Sequence, residues 1–132
     1  PDILVQSEET PRSDRHHSIL IAEDVYENYF LLETLFGKQY QLYHALNGQE
    51  AIDMFETYHP DLILMDIKMP VMDGFEATRR IRTLSKTIPI IALTAFAFER
   101  DKEIAKQCEF TDYVVKPIDI KELKKLIAKV LA

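Results

Sequence analysis

Cysteine, glycine and positive charge are all scarce in this sequence of 132 residues. Its single cysteine, Cys108, cannot form an internal disulfide, and a zinc site built on several thiolates is excluded. The formal net charge of −6 argues against binding to a nucleic-acid backbone, which requires a basic face. These properties are typical of one ordinary domain in a reducing compartment, with no nucleic-acid partner.

Long hydrophobic runs are missing as well. The longest mostly apolar stretch, from Ile88 to Phe98, is interrupted by Pro89 and Thr94 and is far shorter than the roughly 20 residues of a membrane-spanning helix. The first residues carry acids and prolines and show no apolar signal peptide. We expect a cytoplasmic domain without direct membrane contact, in a parent chain that could itself be anchored in a membrane.

The first 17 residues differ in character from the rest of the chain. They are mostly polar, interrupted by proline and without a period, which predicts a linker or a partly disordered arm before a domain at residues 18–132. We interpret the adjacent His16 and His17 as linker residues and not as metal ligands. Because the first residue is proline and not methionine, we expect the chain to be a piece of a longer protein.

From residue 18 onward, short apolar runs alternate with segments of helical spacing. The runs are SILIA (18–22), YQLYHA (40–45), LILM (62–65), IPIIAL (88–93) and DYVV (112–115). Three of them are apolar at consecutive positions, which indicates strands that are buried on both faces. The alternation predicts an α/β fold in which helices cover both faces of a five-stranded parallel sheet.

Helix starts are also visible in the sequence. A capping side chain stands three residues before a glutamate at Asn47, Asp73 and Asp119, and Asp24 fits the same pattern. These four residues are therefore expected at the N-termini of helices.

Polar side chains follow four of the five predicted strands. They are Glu23 and Asp24 after the first strand, Asp66 after the third, Thr94 after the fourth and Lys116 after the fifth. In doubly wound sheets these strand ends meet at one edge, where ligands bind. Three carboxylates gathered there would take up protons or bind a hard cation such as Mg²⁺.

A lysine and a hydroxyl beside such a cluster describe a pocket for a small dianion, with Asp66 available as a nucleophile. Each residue also has an ordinary explanation when taken alone. Asp66 could belong to an Asx turn, Thr94 suits any strand end, and Lys116 could be a surface lysine.

Four segments together resemble the response-regulator receiver domain of two-component signalling. They are ILIAED, PDLILMDIKMPVMDG, IIALTA and DYVVKPID, each at a strand end and in the family's order. The resemblance extends from about Ser18 to Leu131. It implies a flavodoxin-like (βα)5 fold with strand order 2-1-3-4-5.

The resemblance also implies a role for each strand-end residue. Asp66 matches the phosphoacceptor, Lys116 the lysine that pairs with the phosphoryl group, and Thr94 the hydroxyl that moves toward it. Tyr113 matches the aromatic switch residue that follows Thr94. The Mg²⁺ ligands would be Glu23, Asp24, Asp66 and the backbone carbonyl of Lys68. A cis peptide bond is implied between Lys116 and Pro117.

Function follows from the same resemblance. The domain would accept a phosphoryl group from the phosphohistidine of a histidine kinase dimerisation domain, in cis or in trans, or exchange it with a histidine phosphotransfer protein. It would catalyse its own phosphorylation and dephosphorylation. It would also change the face formed by the fourth helix, the fifth strand and the fifth helix, and AFAFERDKEIAKQ (95–107), where the fourth helix is expected, should carry much of this change. The sequence leaves open whether the domain forms a homodimer through that face.

We favour an origin in the C-terminal receiver of a hybrid histidine kinase over a free-standing regulator, because AEDVYENYFLLETLF is most similar to that group. Three alternatives are kept open: a receiver-like module that is never phosphorylated, a flavodoxin-like mononucleotide binder and an aspartyl phosphatase. The mononucleotide binder is disfavoured because no glycine-rich loop follows the first strand. One departure from the family is Glu109, where many receivers have glycine.

Overall fold

A computed structural model describes residues 17–95, 103–104 and 106–132 of the chain. The predicted N-terminal arm lies outside the described residues except for His17. Most of the predicted fourth helix, in residues 95–107, also lies outside them. Among the described helices, none has both the length and the apolar character needed to cross a membrane.

The described residues contain a parallel five-stranded sheet and four complete helices. The strands are β1 (Ser18–Ala22), β2 (Gln41–Ala45), β3 (Leu62–Asp66), β4 (Ile90–Thr94) and β5 (Asp112–Val115). The helices are α1 (Tyr26–Phe36), α2 (Gly48–Tyr58), α3 (Gly74–Leu84) and the C-terminal helix (Ile120–Leu131). The sheet order is β2-β1-β3-β4-β5, which confirms the predicted topology.

Two apolar layers lie on opposite faces of the sheet. Every residue of β3 and β4 is buried, as expected for strands covered on both sides. On one face, Ile21 and Leu64 pack in a cluster that includes residues of α1 and the C-terminal helix. On the other, Leu20 and Ile63 pack in a cluster with residues of α2 and α3. Since each fully buried side chain of this size contributes about 1.5–3 kcal/mol, these layers hold the strand ends firmly in register.

Three of the four predicted helix caps are confirmed. The side chains of Asn47, Asp73 and Asp119 each accept a hydrogen bond from the backbone N–H three residues later, at 2.9, 2.9 and 3.2 Å. The prediction for Asp24 is wrong, because α1 has Val25 at its N-cap and no side-chain capping bond. The exposed carboxylate of Asp24 is therefore not used to begin the helix.

A buried arginine shapes the turn that leads into β5. The Arg82 side chain donates from Nε to the carbonyl of Glu109 at 2.9 Å and from Nη1 to the carbonyl of Ile88 at 2.7 Å. Glu109 has φ of 64°, in the left-handed region that favours glycine. The turn thus has a conformation suited to glycine even though this chain has glutamate there.

We predict that Glu109→Gly raises the free energy of unfolding by about 1 kcal/mol, because it removes the cost of a side chain in the left-handed region. Urea denaturation measures this change. The ion pair lost with Glu109 is a 3.8 Å contact between exposed side chains, and such pairs contribute little.

Glu109→Ala is the matched control, since it also removes the carboxylate but keeps a Cβ at positive φ. It should show no gain in stability. An equal gain in both variants would mean that the carboxylate, and not the backbone conformation, is the unfavourable element.

Candidate functional site

Three carboxylates converge at the carboxyl edge of the sheet. Glu23, Asp24 and Asp66 each offer an oxygen that lies within 4.8 Å of the others. The cause is the parallel pairing of β1 with β3, which places Ala22 opposite Met65 and brings the next residues of both strands together. Glu23 and Asp66 are 1% and 6% exposed, whereas Asp24 faces solvent.

Lys116 reaches this cluster from the loop after β5. Its Nζ lies 3.3 Å from Oδ2 of Asp66 and 3.4 Å from Oε1 of Glu23. Its backbone N–H donates to the carbonyl of Thr94 at 2.6 Å, which fixes the loop to the end of β4. The Lys116–Pro117 peptide bond is cis, as the resemblance implied.

The charge balance of the cluster favours a bound cation. Burial, and after it the negative charge of Glu23, raises the pKa of Asp66 to about 6, although Lys116 acts in the opposite direction. Independently of this shift, three carboxylates stand beside the single ammonium group of Lys116, so the cluster is negatively charged when its acids are ionised. A set of carboxylate oxygens open to solvent at Asp24 fits Mg²⁺, which prefers oxygen ligands and retains several waters.

The remaining predicted residues lie on β4 and β5 and in the loop after β3. Thr94 ends β4 and is buried, and Tyr113 lies on the edge strand β5 with 38% of its surface exposed. Lys68 is exposed and lines an open groove together with Asp24. Asp66 and Thr94 thus end their strands, and Glu23, Asp24, Lys68 and Lys116 follow the carboxyl ends of theirs. Tyr113 does not share this position, because it is the second residue of β5 and lies opposite Ala92 in the middle of β4.

Two contacts to Glu23 were not anticipated from the sequence. Its Oε2 accepts the backbone N–H of Val25 at 3.1 Å, and its backbone carbonyl lies 2.8 Å from Nε2 of His44 on β2. No polar pattern marked β2 as part of the site. The signal that the sequence did offer was His44 itself, a side chain with a ring N–H near the end of β2, which neighbours β1.

Comparison with known proteins shows the family of this chain. The response regulator receiver domain family matches residues 19–128, and the chain belongs to that family. The sporulation initiation phosphotransferase F of Bacillus subtilis is 34% identical over 117 residues, which cover 88% of this chain and 94% of that protein.

Two further comparisons give the context of the domain. One solved structure that resembles this chain is the receiver domain of a sensor histidine kinase from Pseudomonas aeruginosa, with a magnesium ion in its active-site cleft. The TM-score is 0.80 and the sequence identity is 34%. The match covers 88% of this chain and 98% of that one. The regulatory protein AtoC of Escherichia coli is 38% identical over 114 residues, which cover 86% of this chain and 25% of AtoC. The chain thus spans about a quarter of AtoC.

We predict that Asp66→Asn stabilises the metal-free protein by about 1–3 kcal/mol at pH 7.5. The folded pKa of about 6 exceeds the ordinary value of 3.8, so the wild type loses stability as the pH rises from about 4 to 6. Asparagine removes that loss. Urea denaturation in a chelator across pH 3.5–8 should show a difference that grows over this window.

The control is Glu56→Gln on the exposed face of α2, which should follow the wild type at every pH. A constant difference between Asp66→Asn and the wild type from pH 4 to 7.5 would contradict a raised pKa at Asp66.

Proposed function

We propose that Asp66 accepts a phosphoryl group from a phosphohistidine on a partner histidine kinase. The observation that carries this proposal is the convergence of Glu23, Asp24 and Asp66 within 4.8 Å, with the Nζ of Lys116 at 3.3 Å from Asp66. Membership of the receiver family supports the same assignment.

The metal ligands in this proposal are the carboxylates of Glu23, Asp24 and Asp66 together with the backbone carbonyl of Lys68. When bound, Mg²⁺ supplies positive charge that offsets the carboxylates and the oxygens of the incoming phosphoryl group. Asp24 is exposed whereas Glu23 and Asp66 are buried, so an arriving ion would meet the carboxylate of Asp24 first. The buried Glu23 carboxylate also accepts hydrogen bonds from the Val25 backbone N–H and from Lys116, which hold it in the cluster.

In the transfer step, an oxygen of the Asp66 carboxylate attacks phosphorus while the bond from phosphorus to the imidazole nitrogen of the donor breaks. The imidazole leaves with the electron pair of that bond. Lys116 stabilises the charge on the transferring oxygens, because its ammonium already lies beside Asp66. Once Asp66 is an acyl phosphate, the ammonium pairs with the phosphoryl group instead of the free carboxylate.

In this proposal the switch involves Thr94 at the end of β4 and Tyr113 on β5. We propose that the Thr94 hydroxyl moves to bond the phosphoryl group and that Tyr113 then occupies the space that it leaves. These strands are neighbours, with Ala92 opposite Tyr113 and Thr94 opposite Val115. We propose that the face that changes is the one predicted from the fourth helix, β5 and the C-terminal helix, and that it contacts the next partner. Most of residues 95–107, in which that helix is predicted, lie outside the described residues.

We further propose that the domain belongs to a cytoplasmic part of a hybrid histidine kinase. The similarity to a receiver domain of a sensor histidine kinase supports this origin. A free-standing regulator is the alternative. It is supported by the similarity to the sporulation initiation phosphotransferase F of Bacillus subtilis, because the match covers 94% of that protein.

The proposal predicts that incubation with Mg²⁺ and a small-molecule phosphodonor adds one phosphoryl group to the wild type and none to Asp66→Asn. Intact-protein mass spectrometry measures the addition. A chelator should abolish it, since the developing charge is then left without the metal. Full labelling of Asp66→Asn would remove Asp66 as the acceptor, and no labelling of the folded wild type would favour an unphosphorylated module.

A second prediction concerns Lys116. Lys116→Ala should slow phosphorylation by on the order of 10²-fold, the typical cost of losing one electrostatic donor to the transition state. Lys121→Ala removes an exposed lysine from the C-terminal helix and serves as the control. The same rate in Lys116→Ala and in the control would contradict the role of Lys116.

A further inference from the structure

We propose that His44 is a positioning residue for the metal site, acting through the peptide group that joins Glu23 to Asp24. This inference rests on the proposed function in one respect only, namely that Asp24 is a ligand for Mg²⁺. It adds a residue from β2, one of the two edge strands of the sheet, to a site otherwise built from the ends of β1, β3 and β4 and the loop after β5.

The contact defines the tautomer of the histidine. Nε2 of His44 lies 2.8 Å from the backbone carbonyl oxygen of Glu23, and a carbonyl oxygen can only accept a hydrogen bond. Nε2 therefore carries the proton and donates. On the other side of the same residue, the backbone N–H of Glu23 donates to the carbonyl of Ala45 at 3.0 Å. Adjacent residues of β2 thus hold both backbone polar groups of Glu23.

Aromatic contacts hold the imidazole ring in place. It stacks on Tyr29 with a centroid distance of 3.7 Å and an interplanar angle of 1°, and it meets the edge of Tyr26 at 5.8 Å and 74°. Tyr26 in turn stacks on Phe30 at 4.6 Å. Tyr29 belongs to α1 and is buried in the apolar layer on that face of the sheet. Rotation of the His44 ring would therefore break its stacking on a side chain that is itself held by packing. The donor is therefore rigidly aimed at the carbonyl.

Fixing this carbonyl fixes the direction in which Asp24 leaves the strand. The carbonyl of Glu23 and the nitrogen of Asp24 belong to one planar peptide group, so rotation of that plane would swing the Asp24 backbone and its carboxylate. Mg²⁺ requires near-ideal octahedral geometry, which makes its affinity sensitive to such a displacement. The Glu23 side chain is held separately by Val25 and Lys116, so the contact with His44 acts mainly on Asp24.

Two substitutions separate the donor of His44 from its ring. His44→Phe keeps an aromatic ring to stack on Tyr29 but cannot donate. His44→Gln loses the ring but carries an amide N–H₂ at a reach similar to that of Nε2. His44→Leu is a second variant without a donor, for use if the phenylalanine is not tolerated. Urea denaturation of each variant reports the contribution of packing.

The test is the Mg²⁺ dissociation constant of each variant by isothermal titration calorimetry, with Asp24→Asn as the reference for a damaged site. We expect affinity to follow the donor: His44→Phe and His44→Leu bind about fivefold more weakly, as for the loss of one hydrogen bond, and His44→Gln stays within about twofold of the wild type. In metal-free protein, the ¹⁵N–¹H resonance of Asp24 should move more in His44→Phe than in His44→Gln.

Wild-type affinity in both variants that lack a donor, or a weaker affinity in His44→Gln than in His44→Phe, would overturn the role of His44 while leaving the proposed function intact. A wild-type protein that binds no Mg²⁺ would overturn both. The two failures are thus distinguished by the behaviour of the wild type alone.

Discussion

The repulsion between the buried carboxylates of Glu23 and Asp66 is the constraint on which this site depends. Parallel pairing of β1 with β3 forces the two groups together, and the apolar layers on both faces of the sheet prevent the strands from moving apart. Lys116 lies beside both acids, yet burial, and after it the negative charge of Glu23, raises the pKa of Asp66 to about 6. The fold therefore maintains a pocket of excess negative charge that favours a divalent cation and, with it, a phosphoryl group.

Much of the fold could be predicted because its signals are local in the sequence. Consecutive apolar residues, as in LILM, mark strands covered on both faces, and the caps at Asn47, Asp73 and Asp119 mark helix starts. The grouping of the acids also followed from the sequence, since the carboxyl ends of parallel strands share one edge. Thr94 and Lys116 could be added to the site by the same rule.

Other features depend on contacts between distant segments and were beyond a local pattern. Asp24 matched a capping motif, but the N–H of Val25 is bound by the Glu23 side chain, and Val25 itself stands at the N-cap. The contact of His44 with Glu23 requires the register of β2 against β1, and the left-handed turn at Glu109 is accompanied by hydrogen bonds from a buried arginine. The sequence pattern predicts which helices and strands form. The N-cap of α1, the contact of His44 with Glu23 and the turn at Glu109 depend instead on how those elements pack against one another.

A crystal structure with Mg²⁺ and beryllofluoride tests the central assignment most directly. We expect Mg²⁺ about 2.1 Å from oxygens of the proposed ligands Glu23, Asp24, Asp66 and Lys68, beryllium bonded to Asp66, and the ammonium of Lys116 against a fluoride. Beryllofluoride attached elsewhere, or Mg²⁺ bound without an oxygen of Asp66, would contradict a phosphoacceptor site built on these converging acids.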